Sequence, residues 1–399
     1  MLPDGWKSSR FDGVADIANG QVDPKGEPYC NYLHVGPENV ETATGRIIAP
    51  ELAKDLGLIS GKYEFDQNSI VYSKIRPNLN KVCMPSFKGI CSADMYPIHP
   101  KNHISKEYLF YAMQSPAFVS EAIKCSMRTG LPKINRQDLN RIRISYPIDK
   151  NEQVKVIEPI KKLDLLLSGL EKFIFEKKSQ RQALMQRLLM GKQRFPEFEG
   201  QEWERHTFRD MFTPFKDVNT NNDDYEVLSV TKDGIVSQSE YFNKEVASED
   251  KSLYLIVERD TLVMSGLNFW MGSIDFQKIR DVGIVSPAYK TFKPNLKGYD
   301  LGFLKHFVRS NIMKRFLIGA SVQGASIVRR NLDNDMLMNS TMALPSKSEQ
   351  QKIAAVLNAA DKEIELLTQK LEAYQEQKKG LMQQLLTGKK RVNITKEAA

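Results

Sequence analysis

From Ile160 the apolar positions step by three and four through Leu163, Leu167, Leu170 and Ile174, pause at Lys177 and Arg181, and resume at Leu184 and Leu188. A second seam of the same kind runs through Leu357, Ala360, Ile364, Leu367, Leu371, Leu381 and Leu385. Seven-residue spacing predicts two long amphipathic helices that bury a shared stripe. Asn151 and Ser348, just before Glu-Gln and Glu-Gln, read as their caps, and Gly191 and Gly388 mark their ends, where a left-handed residue is wanted. About 40 residues at ~1.5 Å each makes rods of ~60 Å. Pro159 predicts a kink or a later start in the first. Outside the rods, short runs such as Ser69–Ser73, Arg141–Ile144, Leu253–Val257 and Gly283–Val285 predict strands, and 107–121 and 301–317 each predict a helix. The fold class is α+β.

The chain also repeats itself at an offset of 197 residues. Over 152–194 against 349–391 there are 14 identities in 43 gapless positions, and Trp6 and Phe11 match Trp203 and Phe208. A period this long indicates a duplicated domain followed each time by a duplicated helix. The expected organisation is two similar domains, 1–148 and 195–345, with helices over 149–194 and 346–391 and a tail over 392–399. Rods so alike, separated by a whole domain, are expected to pack as an antiparallel coiled coil with pseudo-twofold symmetry.

Composition then narrows the function. With 41% hydrophobic residues the chain can bury sizeable cores, which argues against global disorder. The net charge of +8 points weakly to a polyanionic partner. No apolar run approaches 18 residues and the first residues lack signal-peptide features, so a cytoplasmic protein without membrane contact is expected. All four cysteines fall in the first third, and reduced thiols are the simplest reading. No phosphate-binding or dinucleotide glycine motif occurs, and no Pro-Pro pair as amino-methyltransferases require, so this chain is expected to be no enzyme and to hold no cofactor. Cys83, Cys91, His99 and His103 have an imperfect zinc spacing, and no metal is expected.

Two basic stretches in the first domain suit a phosphate backbone. One carries Lys74, Arg76, Asn78, Asn80 and Lys81; the other carries Arg128, Thr129, Lys133, Asn135 and Arg136. In the second domain Ser265 and Asn268, then Gln323, Ser326, Arg329 and Arg330, stand at matched places. Lys and Arg beside glycine turns position a protein on DNA, while Arg, Asn and Gln forks suit guanine and adenine edges.

The duplicated module, its Glu-Gln helix openings (Glu152-Gln153, Glu349-Gln350), its Leu-Leu-x-Gly-Lys endings (188–192, 385–389) and its Trp6 and Trp203 starts resemble the specificity subunits of type I restriction-modification systems. The resemblance spans the whole chain. It implies two target recognition domains, each binding one half of a split duplex DNA sequence, with the paired helices as spacers. It further implies two modification subunits that bind S-adenosylmethionine and methylate adenine, and two restriction subunits that use ATP and Mg. A rival reading is a coiled-coil scaffold or adaptor that joins two protein-binding domains without touching DNA.

Overall fold

The computed structural model describes residues 2–126, 132–241, 250–323 and 330–392, except the side chain of Gln323. The chain forms two compact units: the residues up to Lys172 with those from Thr368 onward, and Phe173–Leu367. Both divisions fall inside the long helices. Each unit therefore holds one globular domain, the start of the helix that follows it and the end of the other helix.

The strands of the first unit are β1 (Trp6–Arg10), β2 (Ala15–Ile17), β3 (Leu33–Val35), β4 (Glu51–Leu52), β5 (Tyr63–Phe65), β6 (Ile70–Ser73), β7 (Val82–Cys83), β8 (Gly89–Cys91), β9 (Met95–Pro100) and β10 (Arg143–Pro147). They make two four-stranded sheets, β2-β9-β6-β7 and β4-β3-β8-β5, and a β1-β10 ribbon. Its helices of six or more residues are α1 (Lys106–Gln114), α2 (Pro116–Ser126), α3 (Arg136–Arg141), the first part of α4 (Lys150–Leu189) and the end of the second long helix. In the second unit β11 (Glu204–Thr207) pairs with the late strand Thr341–Leu344, as β1 does with β10. Its two four-stranded sheets repeat the plan, including one parallel pair: Leu33–Val35 with Gly89–Cys91 in the first unit, Val227–Thr231 with Val282–Val285 in the second. Its helices of six or more residues are α5 (Leu301–Val308), α6 (Asn311–Gly319), α7 (Asn334–Asn339), the first part of α8 (Lys347–Leu385) and the end of α4.

Several expectations need correction. The single helices over 107–121 and 301–317 are each two, because Ser115 and Ser310 interrupt them and turn their hydroxyls to the amides of Phe118 and Met313. Arg141–Ile144 is not a strand throughout: α3 ends at Arg141 and β10 begins at Arg143. The caps of the long helices lie earlier than Asn151 and Ser348. Asp149 accepts from the Asn151 amide and Ser346 from that of Glu349, so the helices begin at Lys150 and Lys347. The first starts well before Pro159 and continues through it.

The cores explain the strand sequences. In β6, Ile70 and Tyr72 face the cluster that includes Phe11, Tyr108 and Leu109, while Val71 faces a second cluster with Val35, Phe65, Cys83 and Cys91. Period-two alternation with both faces buried accounts for a strand buried at every position. The first cluster also takes in Val156, Ile157, Ile160, Met382 and Leu385 from the helix pair. In the second unit Leu188, Leu189, Ile353, Ala354 and Leu357 join Phe208, Phe303 and Phe307 in the same way.

Within each unit the helix segments run antiparallel. In the first, Asp164 meets Lys378 at 2.6 Å and Glu152 meets Arg391; in the second, Arg181 meets Asp361 at 2.8 Å and Arg194 meets Glu349. Lys177, the other pause in the seam, reaches Glu363 at 2.7 Å. The seam residues are buried at Ile160, Leu167, Ile174, Leu188, Leu357 and Leu385, and half-buried at Leu163, Leu170, Leu184, Ala360, Ile364, Leu367, Leu371 and Leu381. A partly exposed ion pair contributes ~0–1 kcal/mol, whereas each fully buried aliphatic side chain contributes ~1.5–3. Apolar burial therefore holds the helices, and the ion pairs set their register.

Candidate nucleic-acid interface

The structure brings the two basic stretches of the first domain together. Ile75 and Lys133 form an antiparallel bridge, the Arg76 amide donates to Pro132 O at 2.8 Å and the Ile134 amide donates to Lys74 O at 2.9 Å. Arg76 (φ +48°) and Asn80 (φ +46°) lie in the left-handed region on either side of the short turn Pro77–Leu79. Such strain in non-glycine residues persists only where the surroundings enforce it.

Not all the candidate side chains are available. Arg136 donates to Ile17 O at 3.2 Å and Ala18 O at 2.6 Å, with its guanidinium 4.8 Å from the Tyr96 ring and 5.5 Å from that of Tyr63. Lys74 is half-buried, donates to Ala93 O and lies 5.4 Å from the Tyr96 ring. Burial first, then Lys133, holds its ammonium below the usual lysine range, with Arg136 adding and Asp94 and Tyr63 opposing. Lys81 donates to Pro37 O, Asn80 to Gln114 O, and Asn135 caps α3. Arg76, Asn78 and Lys133 are exposed and tied by no side-chain bond among the described residues. Arg128 and Thr129 lie outside those residues. The surface therefore consists of half-buried, aromatic-backed cations (Lys74, Arg136) beside free ones (Arg76, Lys133). Tyr63 and Tyr96 carry this arrangement, and sequence reading missed them because each sits in an ordinary strand pattern.

Strand register identifies the matching surface of the second domain. Ser73 pairs with Met95, and Ser265 pairs with Tyr289, so Tyr96 corresponds to Lys290. Asn135 and Asp333 cap equivalent helices, so Arg136 corresponds to Asn334. Where the first domain lays Arg136 on Tyr96, the second has Lys290 donating to Asn334 Oδ1 at 2.8 Å. Burial, with the Lys216 charge adding, lowers the Lys290 ammonium. The turn after the central strand differs too: Asn268 and Phe269–Met271 replace Arg76 and Pro77–Leu79, and Leu267 is 68% exposed. Ser265 is buried and accepts from the amides of Leu267 and Asn268. Arg330 donates to Ser321 Oγ and Ile318 O. Asn268 is exposed and untied among the described residues; the Gln323 side chain, Ser326 and Arg329 lie outside them. Two surfaces of one plan thus present different chemistry.

Cys83 and Cys91 are buried together, with burial pushing the Cys83 thiol up to about 12. His99 turns to Ser69 and His103 to Tyr146. The four do not converge, and among the described residues no group of three or more His, Cys, Asp or Glu is placed to hold a metal.

Away from these surfaces, the Glu-Gln pair fastens each domain to the helices. Trp6 Nε1 donates to Glu152 at 3.1 Å and Trp203 Nε1 to Glu349 at 3.2 Å, and each carboxylate also accepts from the arginine at the end of the other helix. Gln153 accepts from the Ser105 amide and donates to Pro147 O; Gln350 accepts from the Asp300 amide and donates to Pro345 O. Gly191 and Gly388 have φ of +65° and +73°, and a Cβ on Gly388 would sit 2.8 Å from Pro3. Glycine is required there on both counts.

Comparison with known proteins gives a consistent picture. A family model described as type I restriction modification DNA specificity domain matches residues 3–176 and again 200–375. The EcoDI type I restriction enzyme specificity subunit of Escherichia coli is 39% identical over 171 residues, which is 43% of this chain and 37% of that one. The MjaVIII specificity subunit of Methanocaldococcus jannaschii is 22% identical over 98% of this chain and 94% of its own. Among solved structures, one from work on complex assembly and conformational transition of the type I R-M system has a TM-score of 0.65 at 14% identity, covering 97% of this chain and 98% of that chain. The HsdS subunit of Thermoanaerobacter tengcongensis gives 0.52 at 15%, covering 97% and 98%. At these identities the structures speak for the fold alone. No helix among the described residues is long and apolar enough to cross a membrane.

Proposed function

The chain belongs to the family of type I restriction-modification DNA specificity domains, present in two copies, and on that premise we propose that it is the subunit that selects the DNA sequence on which a modification and restriction complex acts. Each globular domain contacts one half of a bipartite duplex target. The observation that carries this reading is the recurrence of one domain plan with unlike surface groups: exposed Arg76, Asn78 and Lys133 in one, exposed Leu267 and Asn268 and the half-buried Lys290 bonded to Asn334 in the other. Two different readers of one plan suit two different half-sites.

The chain itself does no bond chemistry in this reading. Two modification subunits dock along the helices and carry S-adenosylmethionine; two restriction subunits join them and use ATP and Mg. The complex works in the cytoplasm. A salt titration of the complex with duplex DNA tests the contact with phosphate. Affinity falling steeply as salt rises supports it, and a flat response shows a protein adaptor instead.

A further inference from the structure

A cavity of about 1020 Å³ opens in the first unit between α1 and α2 and the adjoining parts of α4 and α8. Its wall includes Gln114, which is 5% exposed and whose Nε2 and Oε1 are both buried without a hydrogen-bond partner. Asn80 lines it as well, and its Oδ1 is in the same state. Buried amides are ordinarily paired, and a site that leaves three such atoms unanswered is built to meet groups from elsewhere.

The second unit shows what this position does when it is filled from within. Ser115 and Ser310 interrupt equivalent helices, so Gln114 corresponds to Arg309. Arg309 donates to Gly272 O and Ile274 O, both at 3.1 Å, and to Lys232 O at 2.8 Å. Glutamine is shorter, reaches no such array, and leaves the space open.

The unanswered atoms are two acceptors, Gln114 Oε1 and Asn80 Oδ1, and one donor group, Gln114 Nε2. The amino edge of adenine offers the complement, two N–H donors beside a ring nitrogen that accepts, and pairing with a glutamine amide is an established mode for that base. Phe110, Val119 and Leu165 provide apolar walls for the face of a base. At the margin Lys161 is exposed and unpaired among the described residues, which provides a cation for a phosphate. The volume is that of a small-ligand site. We propose that this cavity binds an adenine nucleotide bearing a single phosphate, independently of the contact with duplex DNA.

Equilibrium dialysis of the full chain against labelled AMP tests this. The expected result is saturable binding at one site, weakened several-fold for adenosine and for Lys161→Ala, and weakened at least tenfold for GMP and for Gln114→Leu. Gln114→Glu keeps the acceptors but loses the donor, so it should also lose AMP; it serves as the second variant if the leucine form melts early. Absence of saturable AMP binding up to millimolar concentration overturns the proposal and leaves the cavity to water. So does equal binding of AMP and GMP, or binding unchanged in both Gln114 variants. The salt titration of DNA binding is a separate measurement, so either reading can fail without the other.

Discussion

Two arginines that look alike in sequence separate once their partners are known. Arg136 is anchored by two backbone carbonyls and two tyrosine rings, so Arg136→Ala should destabilise the first unit by about 2–3 kcal/mol, the scale of hydrogen bonds to a charged group. Arg76 is exposed and untied among the described residues, so Arg76→Ala should leave the melting temperature within a degree or two and instead weaken DNA binding and flatten its salt dependence. Melting curves and salt titrations on both variants decide the matter, and a reversed pattern would refute the assignment. The residue scale also carries a pH effect. Inside the second unit His306 Nδ1 accepts from Arg181 and its Nε2–H donates to Asn358 Oδ1, and burial holds its imidazole below the ordinary histidine value; Arg181 and Lys278 add to this, while Asn358 and Asp361 oppose it. Below about pH 6.5 the unfolded chain therefore takes up a proton that the folded chain resists, and stability falls with pH. In His306→Gln the loss of unfolding free energy between pH 7 and 5 should shrink, with His34, lowered by burial and Lys62, retaining part of it. An unchanged slope would show that His306 does not contribute.

Among elements, the long helices were the most legible in sequence, because a seam repeated over some forty residues leaves little room for another structure. The meaning of Glu-Gln was not legible. Its partners, Trp6 with Arg391 and Trp203 with Arg194, are far away along the chain, and only the fold brings them to one carboxylate. Lys177 and Arg181 read as breaks in the seam for the same reason: the acids that face them belong to the other helix. The candidate DNA-contacting residues divide likewise. Chemistry alone groups Lys74, Arg76, Lys133 and Arg136, whereas the carbonyls and rings that hold Lys74 and Arg136 are invisible until β2, β5 and β9 come together. The carboxylate clamps allow a comparison. Glu349 and Arg194 are both largely buried, whereas Arg391, the partner of Glu152, is 46% exposed. Breaking a buried pair costs about 3–5 kcal/mol and an exposed one far less. Glu349→Ala should thus cost about 3 kcal/mol or more, and Glu152→Ala distinctly less, by chemical denaturation of each variant; equal losses would show that the tryptophan bond, shared by both, is what matters.

At the scale of the whole molecule, the repeated ion pairs supply a test of the spacer role. Asp164 faces Lys378 in the first unit and Arg181 faces Asp361 in the second, so a seven-residue insertion between 164 and 181 alone would put one unit's pairs out of register. Matched insertions between 164 and 177 and between 363 and 378 keep every pair between the helices, Lys177 with Glu363 included, and both apolar stripes, since seven residues is one repeat of the seam. They lengthen the helix pair by ~10 Å at ~1.5 Å per residue, which is ~3 base pairs at ~3.4 Å each. Methylation mapping in a host that expresses the complete system should then find both half-sites unaltered and the interval between them longer by about three base pairs. Exchanging 1–148 for the corresponding domain of a relative should do the opposite, replacing one half-site and leaving the interval alone, because the groups exposed on that domain are independent of the seam. An interval that ignores the matched insertion would mean that the helices join the domains without measuring the distance between half-sites.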